Sequence, residues 1–200
     1  STISAMFATA APLVRPLAAF LVCSISFSGW AETFDELKQL ADKGVHLFIL
    51  SGQSNMARMK PETGFMTEAN KLFGDEKVVF IKVAKGGQPI CRWLEEWEAI
   101  ATEAGMDENH RERIHKGGKV EFYQPILDQY EELLKQHPVV QSVTFCWMQG
   151  ERDANGGADV AYKKSLQQLI ANLRRDLKRP DMNIVIGRIG DYAPDRPSCV

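Results

Sequence analysis

Four short apolar segments, separated by segments of helical periodicity, constrain the fold most strongly. They comprise residues 45–50, 78–83, 142–148 and 184–189. Each has the length and the nearly continuous apolar character of a parallel strand that is covered on both faces. Strands that alternate with helices in this way predict a doubly wound α/β fold with a mainly parallel sheet. Such a sheet places functional sites outside the carboxyl ends of its strands.

Apolar residues at helical spacing predict helices over residues 34–41, 93–101, 122–136 and 160–178. In the last of these, we expect Asp159 to cap the helix and Pro180 to end it. Pro125 falls in the first turn of the third helix, where a missing N–H group costs little. Residues 105–118 are polar, and we expect them to form a surface loop.

The charge balance argues against a nucleic-acid-binding function. The chain has 24 Lys and Arg residues and 26 Asp and Glu residues, which gives a formal net charge of -2. A nucleic-acid-binding protein usually shows a basic excess or a basic stripe, and we find neither. Two hundred residues favour one domain with a substantial core.

The N-terminal segment has the pattern of a secretory signal. Arg15 precedes an apolar stretch over residues 17–27 that is short for a membrane-spanning helix. Gly29-Trp30-Ala31 follows, with small residues at the two positions that a signal peptidase reads. We therefore predict a signal peptide over 1–31, export to the periplasm or the medium, and one domain over 32–200. The alternative is an uncleaved membrane anchor.

The cysteines leave the disulfide state open. Cys23 would be removed with the signal peptide, which leaves Cys91, Cys146 and Cys199. Cys146 lies inside an apolar run and is predicted to be a small buried hydrophobic residue. Cys91 and Cys199 are candidates for a disulfide in an export compartment, but the sequence does not establish the pairing.

The residues just after the first strand form the first candidate site. Gly52 permits a tight turn, and Ser54 would stand where the loop enters a short helix, near N–H groups that can stabilise an oxyanion. The alternative is a helix-capping serine, which is the commonest use of serine at such a position. Met56 replaces the second glycine of the Gly-x-Ser-x-Gly elbow, so this is not that motif.

Polar residues also follow the second and third strands. Gly86 and Gly87 alone indicate only a turn. After the third strand, the side-chain amide of Gln149 can donate to an oxyanion, and Glu151 can orient neighbouring groups or accept a proton. The alternative for this segment is an ordinary polar surface loop.

Three motifs together resemble the sialate O-acetylesterase and acetylxylan esterase family, which are SGNH-type serine esterases that act on carbohydrates. The motifs are Gly52-Gln53-Ser54-Asn55-Met56, Lys85-Gly86-Gly87 and Trp147-Met148-Gln149-Gly150-Glu151-Arg152-Asp153-Ala154. The resemblance spans about residues 44–192. It implies a three-layer α/β/α sandwich and a serine esterase that removes O-acetyl groups from carbohydrates such as acetylated sialic acid or xylan. It implies no metal, no organic cofactor and no nucleic-acid partner.

The resemblance also implies roles for individual residues. Ser54 matches the nucleophile. The N–H groups of Ser54 and Gly87 and the side chain of Gln149 match the oxyanion hole. Glu151 matches an acidic position to which we assign a supporting role, with the orientation of the base as one function. The remaining matches are the supporting positions Gln53, Asn55 and Asp153.

The general base is where the chain departs from the family. The family's catalytic histidine belongs to an Asp-x-x-His motif near the C-terminus, after another strand, and we identify no such motif in this chain. His46 is predicted in a strand, His110 and His115 in the polar loop, and His137 at a helix end. A serine hydroxyl without a base is a poor nucleophile. Two interpretations stay open, namely a C-terminally truncated fragment of an active esterase and a degenerate, non-catalytic carbohydrate-binding domain.

Overall fold

A computed structural model describes residues 44–116 and 118–189. One four-stranded sheet, in the order β2-β1-β3-β4, forms its centre, and every neighbouring pair of strands is parallel. The strands are β1 (Val45–Gly52), β2 (Val78–Ala84), β3 (Val140–Met148) and β4 (Asn183–Ile186). All four predicted strands are therefore confirmed.

Within these two ranges, seven helices connect and cover the strands. They are α1 (Ser54–Arg58), α2 (Phe65–Phe73), α3 (Trp97–Glu103), α4 (Glu108–His115), α5 (Tyr123–Gln136), α6 (Glu151–Gly156) and α7 (Asp159–Asp176). Two short 3₁₀ turns, Pro61–Thr63 and Ile90–Trp93, lie in the connections after β1 and β2.

The sheet is covered on both faces. Successive residues of a strand point to opposite faces, and most of them are apolar in these strands. On one face, Phe145 and Trp147 belong to a large core with α3, α5 and α7. On the other face, Phe48 and Leu50 pack with α1 and α2, and Cys146 lies buried in the same cluster, as predicted. The result is the α/β/α sandwich that the sequence predicts.

Strand bounds differ from the prediction at five ends, and the changes at the ends of β1 and β4 have clear physical reasons. β1 continues through Ser51, a buried polar residue whose hydroxyl donates to the Val83 carbonyl (2.7 Å) and accepts from Trp93 Nε1 (2.9 Å). These two bonds offset the burial of the hydroxyl, so the strand tolerates it. β4 is shorter than predicted, because it pairs only with Thr144–Trp147 of β3, which itself ends one residue later.

Three predictions about helices are corrected. The helix predicted over 93–101 begins only at Trp97, because Leu94 is extended (φ -140°, ψ 114°) after the 3₁₀ turn. The polar loop predicted over 105–118 contains α4, which Asp107 caps by accepting from the His110 N–H (3.0 Å). Asp159 is the first residue of α7 rather than its cap, since fully buried Ala158 occupies the capping position.

Several predictions fall outside the described residues: the signal peptide over 1–31, the helix over 34–41, and the placement of Cys199. Cys91 is a free thiol in the structure, and burial raises its pKa to about 12. No helix within 44–116 and 118–189 is both long and apolar enough to cross a membrane.

Candidate active site

The carboxyl ends of β1, β2 and β3 meet at one edge of the sheet, and backbone hydrogen bonds join the loops that follow them. The Gln53 N–H donates to the Met148 carbonyl (2.9 Å), and the Lys85 N–H donates to the Gly52 carbonyl (3.1 Å). The three motifs that are far apart in the sequence therefore form one surface.

Gly52 is required at this junction. Its φ of +139° lies outside the region that other residues readily adopt. A Cβ atom at this position would stand 2.1 Å from the Met148 carbonyl oxygen, which is backbone and cannot move aside. The close approach of β1 to the end of β3 fixes where the Ser54 turn begins.

Ser54 is the first residue of α1, so the prediction that it stands where a loop enters a short helix is confirmed. Gln53 occupies the capping position, and no side chain caps this helix. The capping interpretation of Ser54 is therefore wrong. Ser54 is half-buried, and its hydroxyl has no hydrogen-bond partner among the described residues. A hydroxyl in this state is available to a substrate.

The loop after β2 passes directly against Ser54. A Cβ atom on Gly86 would lie 3.8 Å from the Ser54 Cβ. The next residue, Gly87, has a left-handed backbone (φ +71°), and open space surrounds the position of its missing Cβ. In the part of the chain that the structure describes, no group accepts a hydrogen bond from the Gly87 N–H. This N–H and the first N–H groups of α1, which have no intrahelical acceptor, are candidate oxyanion donors.

Gln149 lies buried behind the Ser54 turn. Its Nε2 donates to Gln53 Oε1 (3.3 Å) and to the Gln88 carbonyl (3.1 Å), and it also contacts the Asp153 carboxylate closely. Its Oε1 is buried without a partner. Two hydrogens on Nε2 thus face three acceptors within the protein. For Gln149 to donate to an oxyanion, one of these hydrogen bonds must be released.

Asp153 is fully buried and links the loop after β2 to α6. Both carboxylate oxygens accept from the Ile90 N–H (3.3 and 3.1 Å). Burial raises the pKa of Asp153 to about 7, although hydrogen bonds from Gln149 and Ile90 act in the opposite direction. The carboxyl group therefore changes charge near neutral pH at the base of the candidate site.

Glu151 opens α6 and contacts α1. Its Oε1 accepts from Asn55 Nδ2 (2.7 Å), and its Oε2 is buried without a partner. The next N–H group, of Arg152, donates to Gln53 Oε1 (3.2 Å). The side chains of Gln53 and Asn55 therefore hold α6 against the Ser54 turn. The unpartnered oxygen of Glu151 can accept one further hydrogen bond.

None of the described histidines is hydrogen-bonded to Ser54. His46 Nδ1 bonds to Ser142 Oγ (2.7 Å) near the amino-terminal end of the sheet, and burial, followed by the charge of Lys77, lowers the pKa of His46. His137 follows α5 and precedes β3, which also places it at the amino-terminal end. His115 stacks on Trp97.

The fourth histidine has a carboxylate partner that the sequence interpretation missed. The Asp107 carboxylate contacts His110 Nδ1 closely, besides capping α4. Asp107-Glu108-Asn109-His110 has the Asp-x-x-His spacing, so the signal was present in a segment predicted to be a loop. Within the described ranges, no group of three or more His, Cys, Asp or Glu side chains is placed to hold a metal ion.

Comparison with models of protein families identifies a family for this chain. The family model described as "Carbohydrate esterase, sialic acid-specific acetylesterase" matches residues 57–199, which is more than two thirds of the chain. The match includes the loop after β2 and the whole segment from Gln149 to Asp153, and it begins three residues after Ser54. A search of curated proteins found no match.

Proposed function

Since this chain belongs to the sialic acid-specific acetylesterase family of carbohydrate esterases, we propose that it removes O-acetyl groups from a carbohydrate through attack by Ser54. The observation that carries the proposal is the free, half-buried hydroxyl of Ser54, which stands between the Gly86-Gly87 loop and the Gln149–Asp153 segment. The family is one of carboxylic ester hydrolases, and its substrates are carbohydrates.

The chemistry follows from this placement. Ser54 Oγ bonds to the acetyl carbonyl carbon and gives up its proton to a general base, which later delivers that proton to the sugar oxygen, and the carbonyl oxygen becomes an oxyanion. The N–H groups of Ser54 and Gly87 stabilise this oxyanion. Collapse of the intermediate breaks the bond to the sugar oxygen, which leaves with a proton. Water then attacks the acetyl-enzyme and releases acetate. Gln149 stays a predicted third donor.

Glu151 and Asp153 have supporting roles in this scheme. The free Oε2 of Glu151 would orient the group that takes the Ser54 proton. Asp153 holds the Gln149 amide and the Ile90 N–H in place. The second candidate function is a non-catalytic carbohydrate-binding domain. The observation that favours it is the absence of a histidine hydrogen-bonded to Ser54 within 44–116 and 118–189.

The two functions are separated by the reactivity of Ser54. We expect a fluorophosphonate probe to label the wild-type chain, and we expect hydrolysis of 4-nitrophenyl acetate and of an O-acetylated sugar. Ser54→Ala should abolish both, whereas Thr102→Ala, which removes an exposed hydroxyl in α3, should change neither. A wild-type chain that binds the sugar but is neither labelled nor active would establish the binding domain instead.

Export is a separate proposal, which rests on the pattern of residues 1–31. We expect N-terminal sequencing of the protein from the producing cells to give a mature chain that begins near Glu32. Retention of the apolar stretch over 17–27 in the membrane fraction would show an anchor, and it would refute signal cleavage.

A further inference from the structure

A tyrosine of α7 is hydrogen-bonded to the end of β3, and the hydrolysis proposed above gives it no role. The Tyr162 hydroxyl accepts from Trp147 Nε1 (3.0 Å) and donates to the Gln149 carbonyl (2.5 Å). It therefore uses its one hydrogen and a lone pair in a single series of hydrogen bonds. A phenylalanine would fill the same space but would make neither bond.

The Tyr162 hydroxyl holds one of the two peptide groups that flank Gln149. The other peptide group is held from β1, because the Met148 carbonyl accepts from the Gln53 N–H (2.9 Å). Peptide groups are planar, so fixing both of them fixes the two backbone dihedral angles of the residue between them. The direction in which the Gln149 side chain leaves the backbone therefore depends on Tyr162.

The residue after Gln149 does not restrain this peptide group. Gly150 has a φ of +148°, which glycine adopts more readily than other residues, and glycine also has the least restricted backbone. A Cβ atom on Gly150 would lie 3.5 Å from the Tyr162 hydroxyl and 3.2 Å from Ile189 Cδ1. The close approach of Tyr162 thus favours a glycine here, and the hydroxyl supplies the restraint that the glycine lacks.

Tyr162 is located in turn by the core. Trp147 is only 1% exposed, and its ring stacks on Phe145 and meets Trp93 edge to face, with centroids 5.6 and 5.2 Å away. Aromatic rings packed in this way hold the indole N–H at a defined position. The indole therefore locates the hydroxyl, and the hydroxyl locates the Gln149 carbonyl.

The neighbouring strand end is fixed by the same kind of series. Trp93 Nε1 donates to Ser51 Oγ, and that hydroxyl donates to the Val83 carbonyl near the end of β2. Since Trp93 contacts Trp147, the two series meet in the core below the candidate site. The loops that surround Ser54 are thus held from the core as well as by one another.

We propose that Tyr162 is a positioning residue, whose hydroxyl directs the Gln149 amide toward the carbonyl group of an ester at Ser54. Gln149 must release one of its three contacts to donate to an oxyanion, and a fixed backbone limits the directions in which the released amide turns. The inference rests on the proposed function for the ester, but the hold of Tyr162 on Gln149 does not require the chemical step.

Hydrogen exchange of the Gln149 side-chain amide tests this hold without any hydrolysis. Its NMR signals are identified in the whole chain by their loss in Gln149→Ala. We expect Tyr162→Phe to make this amide exchange about tenfold faster, because one hydrogen bond that restrains the residue is lost. Tyr123→Phe is the matched control, since it removes a hydroxyl that donates to Asp176 (2.6 Å) at the other end of α7. It should leave the exchange unchanged.

A second variant turns the same peptide group while the hydroxyl stays in place. In Gly150→Ala, the added Cβ crowds Ile189 at a φ that alanine rarely adopts, so the backbone must rotate. We expect faster exchange of the Gln149 amide here too, which gives a decisive measurement even if Tyr162→Phe does not fold. Exchange at the wild-type rate in either folded variant would overturn the proposal.

Steady-state kinetics connect the positioning to turnover of 4-nitrophenyl acetate. In the active enzyme, Tyr162→Phe should lower kcat about tenfold and change KM less than about twofold, a smaller loss than the hundredfold or so expected on removal of an oxyanion donor. In a Gln149→Ala background, the same substitution should change kcat by less than about twofold, because residues that act through one group are not additive.

The outcomes separate this proposal from the esterase proposal. Losses in kcat that add in the double variant, or an unchanged kcat in Tyr162→Phe, would show a purely structural tyrosine and overturn the positioning role. If the amide exchange responds as expected but the wild-type chain cleaves no ester, Tyr162 does hold Gln149, and it is the esterase proposal that fails.

Discussion

Asp153→Asn is the most informative single substitution, because Asp153 is fully buried and changes charge near neutral pH. In the wild type its carboxylate accepts from the Ile90 N–H at 3.1 Å and from Gln149 Nε2. The introduced amide keeps an acceptor for Ile90 but turns an N–H group toward Gln149, which must then rearrange. We expect a fixed loss of about 1–2 kcal/mol from that mismatch at every pH.

The pH-dependent effect is larger and has the opposite sign. Burial raises the pKa of Asp153 from 3.8 to about 7. Between these values the unfolded chain has lost the proton and the folded chain retains it, so the wild type loses stability as the pH rises. Each pKa unit corresponds to 1.36 kcal/mol, so the loss is on the order of 4 kcal/mol by pH 7. The variant has no carboxyl group at this position and escapes that loss.

Urea unfolding between pH 4.5 and 8.5, followed by the fluorescence of the buried Trp93, Trp97 and Trp147, measures both effects. We expect the variant to be less stable than the wild type at the acidic end and equal or more stable at the alkaline end. Asp128→Asn, at an exposed carboxylate, should give a curve parallel to the wild type. Parallel curves for Asp153→Asn would refute the proposed protonation change.

Three further substitutions test the architecture of the site. Gln149→Ala should lower kcat of the active enzyme by about a hundredfold with little change in KM if Gln149 donates to the oxyanion; a change in KM alone would make it a binding residue. Gly52→Ala should destabilise the fold by more than 3 kcal/mol in urea unfolding, because its Cβ meets the Met148 carbonyl at 2.1 Å. Lys82→Met should lower the free energy of unfolding by about 1–2 kcal/mol and slow hydrolysis, because Lys82 Nζ donates to two carbonyls at the end of α1. An unchanged stability together with an unchanged rate would exclude a positioning role for Lys82.

The sheet and the edge that carries the candidate site were predictable because buried parallel strands have a strong local signature. Each strand is a short apolar run, and glycine and polar residues mark the end of β1, β2 and β3. Once the strands are parallel and adjacent, the residues that follow them must meet at one edge. This is why Ser54, Gly87 and Gln149 could be grouped before any contact was known.

The helix over 108–115 and the start of the helix over 97–103 were harder to predict, because apolar periodicity defines neither of them. In α4, Ile114 is the only buried residue, and the helix is fixed by the Asp107 cap and by packing of Ile114 on Gly156. The extended residue Leu94 separates Trp93 from Trp97, although both indoles are buried as their spacing suggests. A cap and a long-range glycine contact therefore define the helix over 108–115.

The geometry of the site depends on a buried polar cluster formed by Gln53, Gln149 and Asp153. Each member lies next to an apolar core, where an aliphatic side chain would cost less to bury than an amide or a carboxylate. The cluster leaves Gln149 Oε1 without a partner, which is a further cost. Packing alone does not account for such a cluster. The need to hold three loops in fixed positions relative to one another does account for it. The cluster binds the Ile90 N–H after β2 and the Arg152 N–H of α6, and it includes Gln53, the residue before Ser54. Loss of any member should therefore displace Ser54 relative to both neighbouring loops.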